Sequence, residues 1–137
     1  MPISQAMCSS FKQQILLGEH DLDTDVLKIA LYTSLATLGA ATTAYSTSDE
    51  VVGAGYTAGG NTLAGATVSL SGTTAFVDFS DTSWTTATIT ARGALIYNTS
   101  KANRAIAVLD FGSDKTANPF IVQLPAPSAT TALLRFS

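Results

Sequence analysis

Residues 84–111, WTTATITARGALIYNTSKANRAIAVLDF, decide the fold. Over 84–91 threonine alternates with alanine and isoleucine, the period-2 pattern of a strand with one buried face. Thr85, Thr86, Thr88 and Thr90 lose rotamer freedom in a helix but fit a pleated surface, so strand is favoured. Gly93 interrupts the pattern and predicts a bulge or a close backbone approach. Ala94, Leu95, Ile96 and Tyr97 are apolar on both faces, which predicts a central strand. The run 98–103, NTSKAN, carries turn chemistry. Residues 104–111 then resume the alternation. Ile106, Val108 and Asp110 fall on one face, and Ala105, Ala107, Leu109 and Phe111 on the other. The stretch is a β-hairpin.

More strands lie on either side. Residues 63–70 (LAGATVSL) and 75–79 (AFVDF) flank SGTT at 71–74, a second hairpin signal with Val77 and Phe79 inward. Residues 26–33 (VLKIALYT) form a strand with Leu27, Ile29 and Leu31 toward the core and Lys28 and Tyr32 on the wetter side. A turn-rich loop is expected over 112–118. A strand over 120–124 follows, bounded by Pro119 and Pro125, which deny amide donors. A turn over 127–131 and a strand over 132–136 end the chain. The inner faces should also include Ile89, Leu95, Tyr97, Leu109 and Val122.

At the N-terminus, Ile3, Met7, Phe11 and Ile15 recur at i, i+4 with Leu16 beside the last, the stripe of a helix over 4–17. Ser4 would cap it and Gly18 would end it. Such a helix either covers the β core or serves as an arm for another chain. About seven short strands and one N-terminal helix describe a mainly β fold, a β-sandwich with the jelly roll among its forms. The 137 residues fit one domain, 1–137, with a helix or arm over 1–18 and a long surface loop over 34–60.

Composition narrows the function. Only 12% of residues are charged, well below the usual quarter, while Ser, Thr, Ala and Gly abound. That surface suits a protein covered by partners or by its own copies. A net charge of −3 without a Lys/Arg cluster argues against nucleic acid as partner. Cys8, the single cysteine, cannot form an internal disulfide. No apolar run approaches a membrane span, and the first residues lack the basic and apolar regions of a signal peptide. A protein made in a cytoplasm and used there, or packed into a particle, is the simplest expectation.

Catalytic and metal chemistry finds little support. Asp21, Asp23 and Asp25 in EHDLDTD (19–25) match the first ligands of an EF-hand. The pattern then fails, with Val26 where glycine is needed and Tyr32 where a bidentate glutamate belongs. His20, the only histidine, is expected at the surface. Gly53, Gly55, Gly59 and Gly60 lack a following Gly-Lys-Ser/Thr and read as turn glycines. Asp78, Asp81, Asp110 and Asp114 show no legible pairing. Trp84 with Tyr97 could stack on a sugar, but a core tryptophan is the commoner role. Asn98-Thr99-Ser100 fits the N-glycosylation pattern without a secretion signal to support its use. The expectation is a non-enzyme with no cofactor and no metal.

Three stretches carry a resemblance: PISQAMCSSFK at 2–12, LKIALYTSLATLGAATTAYSTSDEVVGAGYTAGGNTL at 27–63, and ARGALIYN at 91–98 with RAIAVLDFG at 104–112. Read together, they resemble a family of small tailed-bacteriophage virion proteins associated with capsid decoration, or cement, in short-tailed phages. The most specific parts are ALYT, GYTAGG and ARGALIYN. The resemblance implies a β-sandwich subunit, a homo-oligomer (dimer or trimer), the major capsid protein as partner and the virion surface as location. It carries over no catalytic residue. The alternatives are a tail-associated, glycan-binding module exposing Tyr45, Tyr56 or Trp84, and a tail-tube or connector subunit.

Residues expected to touch a partner come from the arm and the loop: Ile3, Met7, Phe11, Leu35, Leu38, Tyr45, Val51, Val52 and Tyr56. They bring apolar area to segments without a strong strand pattern, and soluble proteins keep such area small or use it for association.

Overall fold

Antiparallel pairing organises the chain. The computed structural model describes residues 3–85, 88–117, 119–122 and 134–136. In order, the elements are β1 (Ala6–Met7), α1 (Ser9–Leu16), β2 (Leu27–Tyr32), β3 (Asn61–Thr62), β4 (Thr67–Ser71), β5 (Thr74–Asp78), β6 (Thr82–Trp84), β7 (Ile89–Asn98), β8 (Arg104–Ala117), β9 (Phe120–Val122) and β10 (Leu134–Phe136). A 3-10 turn, Thr99–Lys101, joins β7 to β8. The main sheet runs β1-β8-β7-β2-β3, a second runs β10-β5-β4, and β6 pairs with β9. The protein is mainly β with one α-helix among the described residues, a sandwich-like fold.

The hairpin 84–111 is its centre. β7 lies between β8 and β2, and Ala94 to Asn98 are all buried, as expected of a central strand. Register with β2 sets Ile29 opposite Ile96 and Leu31 opposite Ala94 on one face, and Ala30 opposite Leu95 and Lys28 opposite Tyr97 on the other. Both faces are therefore covered. That coverage overturns the placement of Tyr32 on a wet face: it is 1% exposed, and Lys28 is half-buried. Gly93 sits at a register shift between β7 and β8, where a Cβ would fall 2.5 Å from the Leu109 carbonyl oxygen and 3.0 Å from Ile3. Only glycine fits there.

Other boundaries moved for identifiable reasons. β7 starts at Ile89, and Trp84 ends β6 instead, paired with Phe120. Over 112–117, where a loop was expected, the chain is strand: β8 continues to Ala117, with Thr90 opposite Thr116 and Ala91 opposite Lys115, and residue 118 lies outside the described residues. Between Ala91 and Gly93 the pairing jumps from Lys115 to Asp110, so β8 carries an irregular excursion that lets a turn-rich sequence stay in the sheet. Arg92 bonds Asp110 across this jump, at 2.9 Å. The helix is Ser9–Leu16, not 4–17, because Ala6 and Met7 add to β8 as a short edge strand. Cys8, not Ser4, is its N-cap, with no side-chain cap bond, and Gly18 at φ 74 ends it as expected.

The second hairpin forms as expected, with Ser71 opposite Thr74 and Gly72 at φ 60 supplying the left-handed turn position. Of the predicted inner residues, Leu27, Ile29, Leu31, Val77, Phe79, Ile89, Leu95, Tyr97 and Val122 are buried, whereas Leu109 is only partly so. The expectations for 123–133, including Pro125 and the last turn, lie outside the described residues.

Leu31 is fully buried near the end of β2, opposite Ala94 of β7. Leu31→Ala should cost about 2–5 kcal/mol in denaturant unfolding. A loss below about 1 kcal/mol would contradict the packing described for this strand.

Candidate contact surface and its anchor

The nine residues expected to touch a partner separate by burial. Ile3, Phe11, Val51 and Tyr56 are buried in the protein's own core, and Met7, Leu38 and Tyr45 pack partly against it. Leu35 (75% exposed) and Val52 (96% exposed) remain on the surface. Most of the apolar content of 34–60 thus folds back onto the sheet, and two side chains are left pointing outward.

What holds this loop down was not visible in the sequence. Glu50 is 6% exposed, and its carboxyl group accepts hydrogen bonds from the Tyr45 hydroxyl (2.6 Å), the Tyr56 hydroxyl and the Gly59 N–H (2.8 Å). Tyr56 also accepts from the Leu31 N–H of β2 at 2.9 Å. Tyr97, on β7, donates to the Gly59 carbonyl at 2.6 Å and stacks on Tyr45 with centroids 4.5 Å apart. Tyr32 donates to the Ser46 carbonyl at 2.6 Å. All four tyrosines of the protein therefore pin the loop to β2 and β7. Burial, reinforced by Glu50, raises the pKa of each, to about 12 for Tyr97, so the hydroxyls stay protonated donors. The only sequence signal was an acidic residue immediately before two valines.

His20 is the other correction. It is 6% exposed, not a surface residue. Its Nε2 lies 2.8 Å from the Gln14 side-chain oxygen and its Nδ1 lies 2.9 Å from Nδ2 of Asn98. The Asn98 amide donates to Nδ1, so the ring is neutral with its proton on Nε2, which donates to Gln14. Asn98 donates also to Asp25 (2.8 Å) and accepts from the Ser100 N–H (3.0 Å). Its side chain is fully buried and its amide is spent inside the fold, leaving no room for a glycan. Burial lowers the His20 pKa, an effect that nearby Asp25 partly opposes.

The acidic turn at 19–25 is satisfied internally. Asp21 accepts from the N–H groups of Asp23 and Thr24, while Asp25 accepts from the Asp21 N–H and from Lys101 at 3.1 Å. Among the described residues no three His, Cys, Asp or Glu side chains are placed to hold a metal ion, and no helix is long and apolar enough to cross a membrane. Gly55, Gly59 and Gly60 adopt positive φ in turns. Trp84 is buried against Tyr56 and Phe120 rather than beside Tyr97. A shallow cleft of about 910 Å³ runs along the loop, lined largely by small side chains such as Ala36, Gly39, Thr42, Thr43 and Ala44.

Two outcomes follow from these networks. Glu50→Ala orphans two tyrosine hydroxyls and one amide, and should destabilise the protein by about 2–5 kcal/mol in chemical denaturation, against about 1 kcal/mol for Tyr45→Phe. For His20, the folded pKa lies below the unfolded value of 6.5, so its contribution is complete above pH 6.5 and is lost as pH falls toward the folded pKa. The melting temperature should therefore fall as pH is lowered below 6.5. His20→Gln should flatten that slope, and an unchanged slope would contradict it.

No family model, curated protein or solved structure matches this chain.

Proposed function

We propose that this protein is a non-enzymatic structural component of a tailed-phage virion, a decoration protein that binds the major capsid protein as a homo-oligomer and stabilises the expanded shell. The observation that carries the proposal is the resemblance at ALYT (30–33), GYTAGG (55–60) and ARGALIYN (91–98). These three segments meet in the fold. ALYT pairs with ARGALIYN through Leu31 opposite Ala94, and GYTAGG closes over both through Tyr56 to Leu31 and Gly59 to Tyr97. Low charge and a hydroxyl-rich surface fit the same role.

Such a protein acts by mass action. Binding to the assembled shell but not to its precursor favours the assembled form by the binding free energy of each copy, and many copies multiply a modest contact. Leu35 and Val52 are the contact residues, since the other apolar side chains of the loop are occupied internally. The glycan-binding alternative is disfavoured by the same burial, because Tyr56 and Trp84 are inside and Tyr45 is stacked on Tyr97.

Purified protein added to expanded capsids that lack it should co-sediment with them. Leu35→Ser and Val52→Ser alter only exposed positions, so both variants should keep the wild-type circular dichroism spectrum. Each should bind roughly tenfold more weakly. Equal binding by both folded variants would clear the loop of a role. Failure of the wild type to bind any expanded capsid would overturn the proposal.

A further inference from the structure

The exposed edge of the second sheet has the form of a self-pairing strand. β4 (Thr67–Ser71, TVSLS) ends the order β10-β5-β4, and among the described residues nothing pairs with its outer side. Ser71 and Thr74 close the two-residue hairpin as a hydrogen-bonded pair. By alternation Thr67, Ser69 and Ser71 turn their backbone groups toward β5, while Val68 and Leu70 turn theirs outward. Those two residues are also 53% and 73% exposed.

Natural edges are usually blunted by charge, proline, bulging or shortness. Elsewhere the described edges follow that rule. β1 and β3 have two residues each and β6 and β9 three, and the outer half of β8 carries Asp114, Lys115 and an irregular excursion. β4 has five residues, no charge, no proline and no register shift along β5.

We infer that β4 pairs antiparallel with β4 of a second copy, about a two-fold axis at Ser69. The sequence is self-complementary about that point. Val68 falls opposite the partner's Leu70, Ser69 opposite the partner's Ser69, and Thr67 opposite the partner's Ser71, so apolar meets apolar and hydroxyl meets hydroxyl. The axis also satisfies the hydrogen-bond alternation. Val68 and the partner's Leu70 exchange both backbone bonds, and the symmetric pair does the same, so a contact between like surfaces closes as a dimer and does not propagate. Two sheets merge into one of six strands.

Five-residue strands alone bury less than the roughly 1,000 Å² of a stable interface. The end of α1 can supply more. Ile15 and Gly18 line one crevice with Val68, and between them in sequence stand Leu16 (89% exposed) and Leu17 (65% exposed). These largely exposed side chains add apolar area next in sequence to the residues of that crevice. The pairing stands on strand geometry and does not depend on the capsid proposal.

Sedimentation velocity over a concentration series should show a reversible dimer. Leu70→Lys, at an exposed position, should raise its dissociation constant at least about tenfold without altering the circular dichroism spectrum. Val52→Lys should leave it unchanged. The register is read by cross-linking. A non-hydrogen-bonded pair places opposing Cα atoms about 4.5 Å apart, within disulfide reach, so Ser69→Cys should oxidise rapidly to a covalent dimer. Buried Cys8 stays inert, and Ser48→Cys, exposed on the loop, is the control. A monomer at every concentration, a dimer indifferent to Leu70→Lys, or a Ser69→Cys variant that cross-links no faster than Ser48→Cys would each overturn the inference. A strand of the capsid protein seated on β4 would appear as the first of these, with β4 protected only on shells.

Discussion

A single buried carboxyl group decides whether residues 34–60 belong to the protein's interior or to its surroundings. Glu50 has left water, and an unmatched polar group there would cost more than one hydrogen bond returns. Its direct partners lie within nine residues of it in the chain. Two tyrosines and a backbone amide of the loop converge on it, and Tyr97 reaches the same turn from β7. Such a network is worth most when every member is satisfied, since each bond strengthens its neighbours in low dielectric. The loop therefore behaves as a fitted lid whose underside is fixed by hydrogen bonds and whose outer side is left with Leu35 and Val52.

That arrangement bears on the virion role proposed above. ALYT, GYTAGG and ARGALIYN are framework: they pair in the sheet or clamp the loop over it. A framework by itself does not fix a role, because one scaffold hosts many functions. The contact residues of such a protein lie elsewhere, on positions that the scaffold leaves exposed. Of the nine apolar residues that the sequence nominated, most turn out to belong to the scaffold.

The parts of the fold legible in the sequence are those governed by local rules. Period-2 alternation located β2, β5, β7 and the first half of β8, and turn chemistry located the bends at 71–74 and 98–103. Gly93 announced a close approach, and the structure shows why it must be glycine. Local rules failed where a distant partner decided. The first turn of the expected helix became β1 because the edge of β8 was available. Tyr32 and His20 are polar enough to face water, yet Ser46 and Asn98, remote in sequence, satisfy them indoors. The candidate surface was legible as a segment but not residue by residue, since the burial of Val51 and Tyr56 depends on Glu50, whose role no spacing announces.

The short 3-10 turn between β7 and β8 bears on how the chain reaches this state. Ala102 and Asn103 both hold left-handed φ, of 56° and 57°, and bring Asn98 directly opposite Arg104. This closure joins near neighbours at little entropic cost, whereas docking the loop through Tyr56 to Leu31 and Gly59 to Tyr97 presupposes that β2 and β7 are already aligned. The hairpin is thus the natural nucleus, and the lid is a late and separable unit. A late unit is also the first to open, so the segment carrying Leu35 and Val52 can loosen while the sheet beneath keeps its register.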